Sequence, residues 1–131
     1  MEVRMELARV VISETSDQQV IVLREKDGER SFPIIIGIFE AVSIDRHIKN
    51  ITIPRPLTHD LIENVIREMG GELERIVVND LRENTFYARL HIARDEGEVE
   101  VDSRPSDAIA LAVRVGCPIF VEDSVLEKIA Q

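Results

Sequence analysis

Apolar and polar positions alternate at the start of the chain, with Val3, Met5 and Leu7 set against Arg4 and Glu6. That period of two predicts a strand running on through Val10-Val11-Ile12. Ser16-Asp17 predicts a turn, Gln19 to Glu25 a second strand, and Asp27-Gly28 a hairpin into a third strand over 30–36. Pro33 removes a ladder donor from that third strand and argues for an edge position or an irregular end. From Gly37 the spacing turns helical, with Ile38, Ala41, Val42 and Ile48 carrying it to about Asn50. Residues 51–57 form a proline-bearing connection. Leu61, Ile62, Val65, Ile66 and Met69 then mark an amphipathic helix over 58–70, stopped by Gly70-Gly71.

The second half repeats the order. Leu73 to Leu81 reads as a strand. Asn84 suits a turn position with positive φ. Phe86, Ala88, Leu90 and Ile92 alternate with Tyr87, Arg89 and His91, and Val99 and Val101 form a short strand after Glu96-Gly97. Ala108, Ile109, Ala112 and Val113 mark a helix apolar enough to be buried, ended by Gly116. Ile119-Phe120-Val121 is a brief strand, and Ser124 to Ala130 a last helix. Residues echo as well as elements. Leu7-Ala8-Arg9-Val10-Val11-Ile12-Ser13-Glu14 matches Leu73-Glu74-Arg75-Ile76-Val77-Val78-Asn79-Asp80 in type, and Glu40-Ala41-Val42-Ser43-Ile44 matches Asp107-Ala108-Ile109-Ala110-Leu111. The expectation is a single α+β domain over 1–131, with mixed, largely antiparallel sheet and helices packed on it. A duplicated β-β-β-α unit, about 1–50 and 72–116, would be linked by the helix over 58–70.

Composition narrows this picture in three ways. With no Trp and one Tyr among 131 residues, the core must be aliphatic. A net charge of −9 supplies no general electrostatic footprint for nucleic acid, so such a role needs a local basic patch or bound cations. Cys117 stands alone, which suits a reducing compartment and a buried structural thiol. No apolar run reaches membrane-spanning length and the first residues do not open a signal peptide, so the expected location is the cytoplasm.

The densest chemistry lies at two helix mouths. Arg55-Pro56-Leu57-Thr58-His59-Asp60 precedes one apolar-periodic run and Arg104-Pro105-Ser106-Asp107 another. Proline tolerates a helix start, Thr58 and Ser106 are natural capping residues, and an acid suits the positive end of the dipole. Arg55, His59, Asp102 and Arg104 exceed what capping requires.

These phrases also resemble a known family. Ile53 to Leu61, then Asn84-Thr85-Phe86-Tyr87-Ala88, then Asp102 to Ala112, with Pro118-Ile119-Phe120-Val121 after them, are similar to the bifunctional nuclease family of small α/β proteins, from about Val20 to Val125. The resemblance implies an intracellular domain, usually dimeric, with nuclease activity on DNA and RNA in some members. Phosphodiester hydrolysis needs charge neutralisation at the phosphoryl oxygens and an activated water. His59, Asp60 and Asp107 are accordingly the candidate catalytic residues, and Arg55, Thr58, Arg104 and Ser106 the candidate phosphate binders. Asp60, Asp102 and Asp107 are candidate oxygen ligands for Mg or Mn. Each acid also has a local explanation as a helix-start residue. The expected partners are a second copy of the chain, making a homodimer, and a DNA or RNA substrate, with no membrane. Pro33 and the exposed Tyr87-Arg89 face are the suggested dimer surfaces. The alternative is a non-enzymatic dimeric module that binds a protein partner or a small anionic ligand.

Overall fold

The computed structural model describes residues 1–13, 15 and 18–130, so the turn expected at Ser16-Asp17 lies outside the described residues. The first half is β1 (Glu2–Val11), β2 (Gln19–Glu25), β3 (Ser31–Ile36) and α1 (Ile38–Ile48). Then come α2 (Thr58–Glu68), β4 (Glu72–Arg82), β5 (Thr85–Ala93), β6 (Val99–Ser103), α3 (Pro105–Val115), β7 (Ile119–Glu122) and α4 (Asp123–Ala130). All seven strands join one mixed sheet in the order β3-β2-β1-β7-β4-β5-β6. It consists of two antiparallel meanders that run outward from the middle. β7 closes the gap between them, antiparallel to β1 and parallel to β4. Pro33 lies on β3, an edge strand, where a missing N–H costs no ladder bond in the interior.

The two meanders share one detail of their pairing. Pairing of β1 with β2 shifts register between Leu7 and Arg9, and pairing of β4 with β5 shifts between Leu73 and Arg75 and again, without a counterpart in the first meander, between Val78 and Asp80. Aligning Leu7 with Leu73 puts the first irregularity of each meander at the same position. The turn from β4 to β5 places Glu83 and Asn84 at φ 50 and 64, the two successive positive values that a tight hairpin of matching twist requires.

The core is aliphatic. Alternate residues of β2 and β3 (Ile21, Leu23, Phe32, Ile34, Ile36) are buried with Ala41 and Ile44 of α1. At the centre Ile76, Val77 and Val78 are buried in succession, so β4 is covered on both faces. In α3, Ala108 to Ala112 are all buried, as its composition requires, and Gly116 at φ 78 closes it in a left-handed turn. Two helices depart from the expected burial. Leu61 and Val65 of α2 and its C-cap residue Met69 are exposed, as are Ile38, Phe39 and Val42 of α1. The inward stripe of α2 is instead the half-buried Ile62 and Ile66. Both helices thus carry an apolar face outward.

No described helix is long and apolar enough to cross a membrane. Cys117 is partly buried next to the core, and desolvation pushes its thiol up to about 11, which makes it inert near neutral pH.

Candidate functional site

The site forms where the first turn of α2 meets α1 and α3. α2 begins at Thr58 with Leu57 as its N-cap, so Thr58 is already inside the helix and does not cap it. The cap comes from below: the Leu57 N–H donates to Asp60 Oδ2 at 2.8 Å. Ser106 likewise lies inside α3, one residue past Pro105, and no side chain caps that helix. The expected capping by Thr58 and Ser106 therefore does not occur, because each helix starts before its hydroxyl. The Ser106 Oγ is buried without a hydrogen-bond partner among the described residues.

His59 and Asp60 are buried neighbours on that first turn, and each reaches both flanking helices. The His59 Nε2 lies 2.9 Å from Asp107 Oδ1 on α3, and its Nδ1 lies 3.1 Å from Ser43 Oγ on α1. With Nε2–H donated to the carboxylate, Nδ1 accepts from the serine hydroxyl. Asp60 is 4 % exposed. Its Oδ1 takes Arg46 Nη2 of α1 at 3.2 Å and Arg114 Nη1 of α3 at 2.6 Å. Arg114 also donates from Nε to Glu63 at 2.8 Å. A carboxylate with two guanidinium partners and a backbone N–H has its lone pairs committed.

The two helix-mouth phrases are joined, but by His59 and Asp107 rather than by their arginines. Arg104 is largely in solvent and lies 3.8 Å from Glu40, the residue that the internal echo matches with Asp107. Arg55 lines a separate concavity of about 470 Å³ with Arg46, Arg114 and Asp60. Asp102 is exposed on the edge strand β6, opposite Arg89 of β5. Asp60, Asp102 and Asp107 do not gather into a ligand set. Among the described residues, the group of three acid or imidazole donors lying within 4.8 Å of one another is His91, Glu98 and Glu100. There Glu98 takes His91 Nδ1 at 2.7 Å, Glu100 lies 3.9 Å from Nε2, and Arg75 stands 3.7 Å from Glu98. The two acids approach different nitrogens of the ring, and Arg75 adds a cation beside Glu98. The hydrogen bond from His91 holds the Glu98 carboxyl below its ordinary range. Tyr87 is stacked by Arg82, whose guanidinium carbon lies 4.1 Å from the ring centre, so a partner within the chain covers that ring face.

Ser43, Arg46 and Arg114 are the site residues that the sequence did not single out. The signal for Ser43 was present in the echo, which pairs its segment with the one beginning at Asp107. Arg46 and Arg114 look like ordinary surface charges near helix ends, and only the tertiary fold reveals their shared carboxylate.

Comparison with known proteins shows the family. Residues 21–131 match the profile described as the bifunctional nuclease domain. An uncharacterized protein of Mycobacterium tuberculosis is 45% identical over 117 residues, covering 89% of this chain and 70% of that protein. Bifunctional nuclease 2 of rice (Oryza sativa subsp. japonica) is 36% identical over 118 residues, covering 87% of this chain and 36% of its own length. Bifunctional nuclease 2 of Arabidopsis thaliana is 32% identical over 105 residues, covering 77% of this chain and 32% of its own length. The chain thus spans about a third of either plant protein.

Proposed function

The chain belongs to the bifunctional nuclease domain family, and from that premise we propose that it hydrolyses phosphodiester bonds of DNA or RNA at the His59 site. The observation that carries this reading is the chain of hydrogen bonds Ser43–His59–Asp107, drawn from three helices onto one imidazole. Asp107 fixes the tautomer and supports a positive ring. Nδ1 is then the base, and the Ser43 hydroxyl between it and the reactants passes the proton of the attacking water. Delivered back to the leaving oxygen, the same proton completes the cleavage. Arg104, held loosely at the mouth of α3, is the cation for the scissile phosphate, and Thr58 lines the mouth of α2.

The metal expectation narrows to Asp107. Its Oδ1 holds His59, while its second oxygen has no partner among the described residues. Mg and Mn sites often join a single carboxylate to substrate phosphate, and such an ion would supply the positive charge that a chain of net charge −9 lacks. Asp60 is a positioning residue in this reading, and Asp102 has no part in the site.

The test is cleavage of single-stranded DNA and RNA by purified wild type and His59→Gln, with and without EDTA. The expected result is activity that disappears with His59→Gln while the thermal midpoint stays put. Equal cleavage by both proteins would overturn the assignment, and full activity in EDTA would remove the metal. A wild type without cleavage would leave the anion-binding module as the function.

We also infer a homodimer. The outward apolar residues Leu61, Val65 and Met69 repeat every four positions along α2, and Phe39 of α1 is 84 % exposed. A stripe of this kind suits an isologous contact with a second copy. Light scattering of wild type and of Val65→Glu checks it, with a monomer mass for wild type as the refuting result. A lone, partly buried thiol fits the reducing cytoplasm.

A further inference from the structure

We propose that the arginine-lined pocket beside α2 binds a phosphate monoester. The concavity of about 470 Å³ is within the range of small-ligand sites. Its wall sets three guanidinium groups, Arg46, Arg55 and Arg114, against Asp60, and with Glu63 paired to Arg114 beside it one positive charge, that of Arg55, is left over. That local excess of positive charge occurs in a chain whose net charge is −9.

The guanidinium groups are unevenly satisfied. Arg46 is 9 % exposed, its Nη2 is held by Asp60, and its Nη1 is buried without a hydrogen-bond partner. A buried charged donor lacking an acceptor is costly. Arg55 has no ion-pair partner among the described residues. It enters from Pro54-Arg55-Pro56, whose prolines restrict the backbone on both sides of it. Arg46 and Arg114 are pre-positioned by the same carboxylate, so two of the three cations are ordered before any ligand arrives. His47 and Asn64 complete the polar wall. The carboxyl end of α1 lies nearby, but the carbonyls of Asp45, Arg46 and His47 are taken by the N–H groups of Lys49, Ile51 and Asn50. Those carbonyls are therefore not free to repel an anion.

A monoester fits better than a run of diesters. A compact dianion meets several guanidinium groups at once, each of which can take two of its oxygens. A long polyanion would also face the chain's overall negative charge. The phosphate could belong to a free mononucleotide or to the phosphorylated end of a strand. The proposal goes beyond the hydrolysis reading, since it uses none of Ser43, His59 or Asp107.

Calorimetry on the full chain tests it, with inorganic phosphate, a nucleoside 5′-monophosphate, and one short oligonucleotide with and without a 5′-phosphate. The expected result is phosphate binding that weakens with salt and falls about tenfold or more in Arg55→Ala, with part of it restored in Arg55→Lys. Arg55 is exposed and holds no other side chain, so Arg55→Ala should keep the wild-type melting point. Preference for the mononucleotide names a free nucleotide as the ligand. Preference for the phosphorylated over the unphosphorylated oligonucleotide names a strand end. No phosphate binding by wild type, or equal binding by Arg55→Ala, would overturn the proposal. His59→Gln separates the two readings, since it should abolish cleavage and leave phosphate binding intact.

Discussion

His59 and Asp60 are adjacent in the chain and both tie α1 to α3, yet they do it with different materials. Asp60 uses fixed charges: a carboxylate almost out of solvent, two guanidinium groups and a backbone N–H. His59 uses groups that can exchange protons: an imidazole between a hydroxyl and a carboxylate that is itself 36% exposed. The first arrangement is suited to holding three helices in place. The second is suited to chemistry, because an imidazole offers one ring nitrogen as donor and the other as acceptor. One helical turn thus carries both a clamp and a reactive group.

The comparison breaks most directly at Asp60. Asp60→Ala removes the common partner of two arginines and leaves a poorly exposed guanidinium uncompensated. The expected loss is about 3–5 kcal/mol of folding stability by urea denaturation. A loss below about 1 kcal/mol would show that Asp60 is not the clamp. Next in size is Asp107→Asn, which keeps the shape of the His59 contact but not its charge. Cleavage should fall about a hundredfold, equivalent to about 2.7 kcal/mol of barrier, with stability nearly unchanged. A stability loss matching that of Asp60→Ala would make the two neighbours equivalent and end the distinction. Ser43→Ala sharpens it further: about a tenfold loss of cleavage is expected of a residue that relays a proton.

The smallest effect uses His91 as an internal control, a histidine–carboxylate pair on the sheet and away from the helix mouths. Its partner Glu98 has a lowered pKa, chiefly through the hydrogen bond from His91. A carboxylate lowered in the folded state stabilises the fold above its unfolded pKa and loses that contribution as pH falls through the folded value. Glu98→Gln should therefore flatten the acid limb of urea midpoint against pH slightly and leave cleavage untouched. A loss of cleavage would show that the histidine–carboxylate pair at the helix mouths is not the special one.

The same contrast marks what the sequence revealed. Alternation and spacing located the strands and helices because each depends on neighbours within a few residues. The pairing of His59 with Asp107 was foreseeable as a meeting of two helix mouths, since both phrases carried more polar groups than a cap needs. The arginines of the clamp were not, because a guanidinium on a helix looks the same whether it faces water or a carboxylate from another element. Asp102 erred the other way: it belongs to the same phrase as Asp107 but lies on an edge strand before the chain turns into α3. The place of Ile119-Phe120-Val121 was equally hidden, as four residues of strand carry no record of which neighbours they will choose.

That short strand has a consequence for how the protein is made. The two meanders share no ladder with each other, and within the sheet they are joined only through β7, which is synthesised after the other six described strands. Until residues 119–122 are available, the emerging chain holds two half-sheets, each with an unpaired inner edge at β1 or β4. The His59 contacts depend on helices from both sides of that gap. The two half-sheets can therefore join into one, with the His59 contacts made, only after β7 has been synthesised.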